Sequence, residues 1–191
     1  MSYCEAADIK ESLDIDGYEN TVWLDSLSVS ASAWIDAYCG LPTGGFAVAA
    51  DTTRTFDVRS LRGGALLLDV PCLAVTTLLN ADGTALPANG FRLYPLNEPR
   101  KWRIELLGGY GWALVDDGLY TVTGRWGWSA GAPAPVREAA VMLTGWMFKR
   151  YQAALQDNAA VPELGQILYG EAMPKQVVAL LGPFRNGVTL L

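Results

Sequence analysis

Gly127-Trp128-Ser129-Ala130-Gly131 is the stretch whose residue types best match a catalytic signature. Gly-x-Ser-x-Gly between a strand and a helix is the pattern of a nucleophile elbow, in which a sharp turn lifts the serine hydroxyl to the helix N-terminus. Such a serine needs a base beside it, most often histidine. The chain has no histidine. Pro133 and Pro135 also move the helix start several residues past Ser129, so a small serine hydrolase is the least favoured reading. The missing histidine removes the commonest metal ligand and the commonest base at neutral pH as well. Asp116 and Asp117 are adjacent, and on an extended segment they would point to opposite faces, which suits a solvated loop better than shared acid/base work. Asp14 and Asp16 stand at calcium-loop spacing, but the third acid and the bidentate glutamate are absent. Cys4, Cys39 and Cys72 are odd in number, far apart and without close Cys/His partners, and read as buried free thiols rather than a zinc site. Gly108-Gly109-Tyr110-Gly111 has the wrong spacing for a phosphate cradle and no helix follows it. The expectation is a protein with no catalytic residues, no metal site and no cofactor.

The elements around the serine form a strand, a stiff turn and a long helix. Val122 to Trp128 alternates β-branched and aromatic residues with polar ones, and the two prolines fix φ where a helix can begin. Glu138 is expected in the first turn, where the helix dipole favours an anion, and Lys149 and Arg150 near its end. The helix is expected over about 135–155, with Val136, Ala140, Leu143 and Met147 on one face and Ala139, Met142 and Trp146 widening it. Gly145 inside it costs about 1 kcal/mol, tolerable where another backbone packs closely.

At the other end of the chain, residues 5–13 place Ala6, Ile9 and Leu13 at helical spacing. Asp16 and Glu19 resemble a capping box that starts a second helix, on which Leu24, Leu27, Ala31, Ile35 and Tyr38 share a face. Ser26, Ser28, Ser30 and Ser32 alternate with small apolar residues in a strand-like period of two. The capping signal, the apolar residues on both sides and the stop at Gly40-Leu41-Pro42 favour a helix. From residue 51 short β-rich runs take over, at 53–58, 65–70, 73–79, 91–94, 102–107 and 119–126, with a hairpin tip at Asn80-Ala81-Asp82-Gly83. Val161 to Tyr169 reads as a helical turn or extended piece, and Pro174 opens a last helix to Leu181 that ends at Gly182-Pro183. The fold class is α+β: a helical bundle from 1–50 and 132–191 with an antiparallel β-rich sub-domain, 51–131, inserted between them.

Half the residues (51%) are hydrophobic and mean hydropathy is +0.17, yet charge or proline breaks every apolar run before the ~20 residues a membrane helix needs. No signal peptide is visible at Met1-Ser2-Tyr3-Cys4-Glu5, so synthesis in the cytoplasm is expected. A net charge of −6 and a pI near 4.6 argue against a protein that grips nucleic acid through clustered lysine and arginine. Seven tryptophans and eight tyrosines suit a core, or a subunit interface where large amphipathic rings concentrate. The interface candidates are Trp23, Tyr38, Trp126, Trp128, Trp146, Tyr151, Phe184 and Arg185.

The order of these elements resembles a known family. A helical opening at Ala7-Asp8-Ile9-Lys10, a longer helix ending Ile35-Asp36-Ala37-Tyr38-Cys39-Gly40, and a β insertion with Val75-Thr76-Thr77-Leu78-Leu79-Asn80-Ala81-Asp82-Gly83 come first. Val122-Thr123-Gly124-Arg125-Trp126-Gly127, leading to Pro133-Ala134-Pro135-Val136-Arg137-Glu138-Ala139, completes the likeness to the head-tail connector (head completion) proteins of tailed bacteriophages and prophages, over residues 5–155. In that family arginine often follows the tyrosine-glycine end of the second helix; here Leu41 stands there. The resemblance implies a non-enzymatic structural protein of the virion neck, made in the host cytoplasm. It implies a homo-oligomeric ring of about a dozen subunits that docks below the portal protein, offers a surface to the next neck or tail protein, and lets DNA pass without binding it. No small-molecule substrate is implied, and the alternative is another neck or tail completion protein of a phage.

Overall fold

The computed structural model describes residues 2–15, 20–115, 117–156 and 173–185. It is an α+β fold whose chain divides into two compact units, one drawn from Met1–Gly44 and Ala132–Gly187, the other from Gly45–Gly131. Residues 45–50, grouped with the helices on sequence grounds, fall in the β unit, where Val48 N–H donates to Ser129 O (3.1 Å) and Gly45 O accepts from Trp128 N–H (2.6 Å).

In the first unit α1 (Ala6–Leu13), α2 (Thr21–Cys39), α3 (Ala134–Gln156) and α4 (Lys175–Leu181) pack around α3. α1 begins with a capping box in which Glu5 and Asp8 satisfy each other's amides. The box expected from Asp16 and Glu19 lies outside the described residues, as does the 161–169 segment. α2 is helical through its serines, of which Ser28 and Ser32 are buried and Ser26 and Ser30 exposed, so the period of two does not mark two faces of a strand. Ser28 and Ser32 bond back to the Asp25 and Ser28 carbonyls (2.9 and 2.7 Å), and Ser32 also accepts the Tyr3 amide (2.9 Å). Ser28 and Ser32, one turn apart, thus form a polar seam that catches the N-terminal residues, within a face that buries Leu24, Ala31 and Ile35. Asp36, buried beside it, accepts from the Tyr3 hydroxyl and from Gly44 N–H (2.8 Å), so the corner after α2 is tied by a carboxylate while Leu41 is buried.

Two helix-end expectations are corrected. α3 starts at Ala134 and runs to Gln156, so its first turn holds no acid and its last turn no base. Glu138 stands one turn in, and Lys149 and Arg150 lie short of the end. The helix outruns them because Gln152, Ala153 and Ala154 continue it without a breaker. Gly145 faces Leu13 of α1, whose Cδ2 would lie 3.3 Å from an added Cβ. The close neighbour is a leucine side chain rather than a backbone.

The second unit is one antiparallel sheet: β1 (Thr52–Phe56), β2 (Leu61–Arg62), β3 (Ala65–Leu79), β4 (Ala85–Leu86), β5 (Phe91–Tyr94), β6 (Lys101–Leu106) and β7 (Tyr120–Trp126). The order is β1-β7-β3-β6-β5, with β2 and β4 also on β3. The runs at 65–70 and 73–79 are a single strand that continues through Pro71. Proline is tolerated because the β6 ladder is interrupted between Leu67 and Cys72 by a register shift, and the β7 ladder begins only at Cys72. A second shift between Val75 and Thr77 brings the Ala74 carbonyl to Gly124, where a Cβ would sit 2.2 Å from the oxygen. Glycine alone accommodates that bulge. The tip at Asn80–Gly83 is a reversal as expected: Leu79 pairs with Ala85, and Gly83 N–H donates to Asn80 O (2.9 Å). The core gathers Phe56, Leu66, Leu78, Ile104, Tyr120, Val122 and Trp126.

Candidate assembly surface

The Gly-x-Ser-x-Gly stretch ends β7 and stitches it to the start of the unit. Gly127 N–H donates to Pro71 O (2.8 Å), and the Ser129 hydroxyl donates to the Phe46 carbonyl (3.4 Å). Gly127 has φ 152°, and a Cβ there would lie 2.5 Å from both Gly45 O and Val48 Cγ2. The glycine is a close-approach position and the serine a strand-end tie.

The three cysteines are free and buried. Burial, which penalises the thiolate, pushes Cys39 up to about 12, with Asp36 adding to the rise and Arg185 opposing it. Desolvation likewise pushes Cys72 up to about 11 and raises Cys4, so none is an activated nucleophile. Among the described residues no group of three or more His, Cys, Asp or Glu could hold a metal ion, and no helix is long and apolar enough to cross a membrane.

The aromatic candidates fall into separate groups. In the helical unit Trp23 meets Phe148 and Tyr151 at ring distances of 4.9 and 4.6 Å. Tyr38 stacks on Trp34 at 4.9 Å, and the Arg185 guanidinium lies 5.2 Å from the Tyr38 ring. Trp146 carries Arg150 at 5.3 Å, and Phe184 sits half-buried in the turn after α4. In the β unit Trp128 is half-buried between Phe46 (6.0 Å) and Arg100 (3.8 Å). Trp126 is 3% exposed, packs on Phe56 at 5.8 Å, and donates Nε1–H to Thr52 O (2.8 Å). Its ring is taken up by the sheet core and leaves no surface for a neighbour.

Solved chains share this architecture, and in three of them the likeness runs almost from end to end. The chain has the fold of a neck component of gene transfer agent particles. A chain in the neck of an empty gene transfer agent particle, computed with C6 symmetry, matches with TM-score 0.63 and 21% identity over 94% of this chain and 88% of that one. A chain in the virion of a native particle matches with TM-score 0.62 and 22% identity over the same shares, 94% and 88%. A chain in the native neck computed with C12 symmetry matches with TM-score 0.58 and 22% identity over 94% and 87%. No protein-family model and no curated protein matches the chain.

Sequence reasoning missed Trp34 and Arg100, the partners of Tyr38 and Trp128. Trp34 could have been found from its spacing of four residues to Tyr38 on a helix. Arg100 could not, because β5 and β6 bring it to Trp128 only after the sheet has formed. Also missed were aliphatic residues left on the surface of the β unit: Val58, Leu96, Leu114, Val115 and Leu119. For Leu96, Leu114 and Val115 the signal was present, since apolar residues inside turn-rich segments have no periodicity that would bury them; Val58 and Leu119 stand at the ends of expected strands, and β1 stops at Phe56 and β7 starts at Tyr120, leaving both outside the sheet.

Proposed function

We propose that this chain is a structural protein of a virion neck, a head-tail connector whose copies form a ring between the portal protein and the next neck or tail protein, with DNA passing through the ring. The observation that carries the reading is the fold likeness, over nearly the whole chain, to neck chains of particles computed with sixfold and twelvefold symmetry. The surface supports it: large apolar side chains are exposed in both units, among them Val22 at 85% and Leu114 at 75%, as an assembling subunit requires. Trp23, Tyr38, Trp128, Trp146, Tyr151, Phe184 and Arg185 are the aromatic and cationic groups proposed to anchor neighbours. No enzymatic role is proposed, since the one catalytic-looking serine is a structural tie in a chain without histidine.

The overall charge fits DNA passage. Residues 45–131 contain eight acidic and eight basic residues, so the net −6 comes from the rest of the sequence. A net acidic protein repels phosphate and lets a duplex slide. The test is electron microscopy and light scattering of the full chain, alone and mixed with a portal protein from the same particle. Rings that cap the portal are expected. A chain that stays monomeric at every concentration and binds neither portal nor tail-tube protein would overturn the proposal.

A further inference from the structure

Val58, Leu114 and Leu119, 50%, 75% and 52% exposed, line a groove of about 690 Å³ at one end of the β unit, with Asp57, Arg59 and Asp117 around it. The residues on either side of Leu114 and Leu119 are tied to the sheet. Trp112 Nε1–H donates to Gly64 O, Ala113 N–H to Asn80 Oδ1 and the Tyr120 hydroxyl to Ala113 O, each at 2.9 Å. Aliphatic residues presented to water beside a groove offer a surface for something apolar.

The opposite end of the same unit carries an exposed apolar residue in a turn. The turn between β5 and β6 presents Leu96, 55% exposed. It is stiffened by Lys101 Nζ, which donates to the Pro95 and Leu96 carbonyls at 2.7 and 3.0 Å, and by Arg100 lying 3.8 Å over the Trp128 ring. Register separates the two features. Lys101, at the turn, pairs with Cys72, whereas Glu105, at the other end of β6, pairs with Ala65, next to the Gly64 that holds Trp112. β5 and β1 are also the two ends of the strand order, and Asp57 follows β1 directly. The turn carries Glu98, Arg100 and Lys101, one positive charge in excess; the groove carries Asp57, Arg59 and Asp117, one negative in excess. A knob and a groove of opposite charge at opposite ends of one unit cannot satisfy each other within a chain. They can between copies arranged head to tail, the kind of contact that closes into a ring.

We infer that the Leu96 turn of one copy seats in the Val58–Leu114–Leu119 groove of the next. This rests on the ring reading above and names the contact that builds it. The test uses the full chain with single cysteines at the two ends, Leu96→Cys and Leu114→Cys. The native cysteines are buried and do not compete. Under oxidised glutathione a mixture of the two variants should form a covalent dimer at least about tenfold faster than either alone, and the doubly substituted chain should give a ladder of oligomers. Leu114→Asp should weaken self-association in sedimentation about tenfold or more, with an unchanged melting curve because the side chain is exposed. If the wild type forms rings and the mixture cross-links no faster than the single variants, the contact is wrong and the ring reading stands. If the wild type never self-associates, alone or on a portal, and nothing cross-links, both fail.

Discussion

Replacing Asn80 by alanine should destabilise the β unit by about 2 to 3 kcal/mol, and loosen the groove segment more than the sheet. Asn80 is buried at the end of β3, and its side chain makes three hydrogen bonds. Nδ2–H donates to Gly111 O (2.9 Å), while Oδ1 accepts from Ala113 N–H (2.9 Å) and Ala81 N–H (3.1 Å). A typical bond contributes about 0.5 to 1.5 kcal/mol net, and a stranded buried partner costs more. Gly111 is exposed, so its carbonyl recruits water and that bond counts least. Ala113 and Ala81 are half-buried, and their orphaned amides account for most of the loss. The turn itself survives, since Asn80 N–H still donates to Thr84 O (2.8 Å). Equilibrium urea unfolding followed by tryptophan fluorescence reads the total, and native-state hydrogen exchange reads its location. Amides of 107–115 should exchange markedly faster, while those of β3 and β7 change only as global stability changes. A loss below about 0.5 kcal/mol, or a loss with unchanged exchange in 107–115, would refute the view that Asn80 fixes this segment.

Other consequences follow from the same structure. Gly127→Ala should cost about 2 to 5 kcal/mol, from a backbone region closed to alanine and a Cβ forced onto the Gly45 carbonyl, whereas Ser129→Ala should cost well under about 1 kcal/mol; thermal melts of the pair check this, and the reverse order would sink the strand-tie reading. Trp126→Ala should cost about 3 to 5 kcal/mol through lost core volume and the stranded Thr52 carbonyl, seen as a lower urea midpoint. In alkaline solution, burial favours the neutral Cys39 thiol, raised from 9.0 to about 12. The folded chain therefore holds that proton where the unfolded chain has lost it, and the associated stability is complete below pH 9 and declines as pH rises toward 12. Cys39→Ala should flatten that decline in a series of urea midpoints. At pH 8 a thiol reagent should modify none of the three cysteines until denaturant is added.

Much of the fold was legible because its signals are local. Apolar spacing and stop residues placed α1, α2, α3 and α4 to within a few residues, and the Asn-Ala-Asp-Gly reversal marked the hairpin tip. Errors arose where a distant partner rewrote a local rule. Pro71 reads as a break between strands, yet it lies where the β6 ladder is interrupted and before the β7 ladder begins, so no amide is needed from it. The two-residue strands β2 and β4 exist only because β3 offers them an edge. For the assembly surface the residue types were legible and their fates were not: nothing in the sequence distinguishes Trp126, closed into the sheet core, from Trp128, half-open two residues later.

The sequence by itself determined the α+β pattern, the absence of a histidine-based site and the balance of charge, because each depends on residue type and near spacing alone. The tertiary structure decided which side chains remain for a partner. It turned a nucleophile-like serine into a strand tie, and set an apolar groove and an apolar knob at opposite ends of one sheet. The physical reason is that exposure is a property of the whole packing: strand order and register, which no short window contains, determine what each side chain faces.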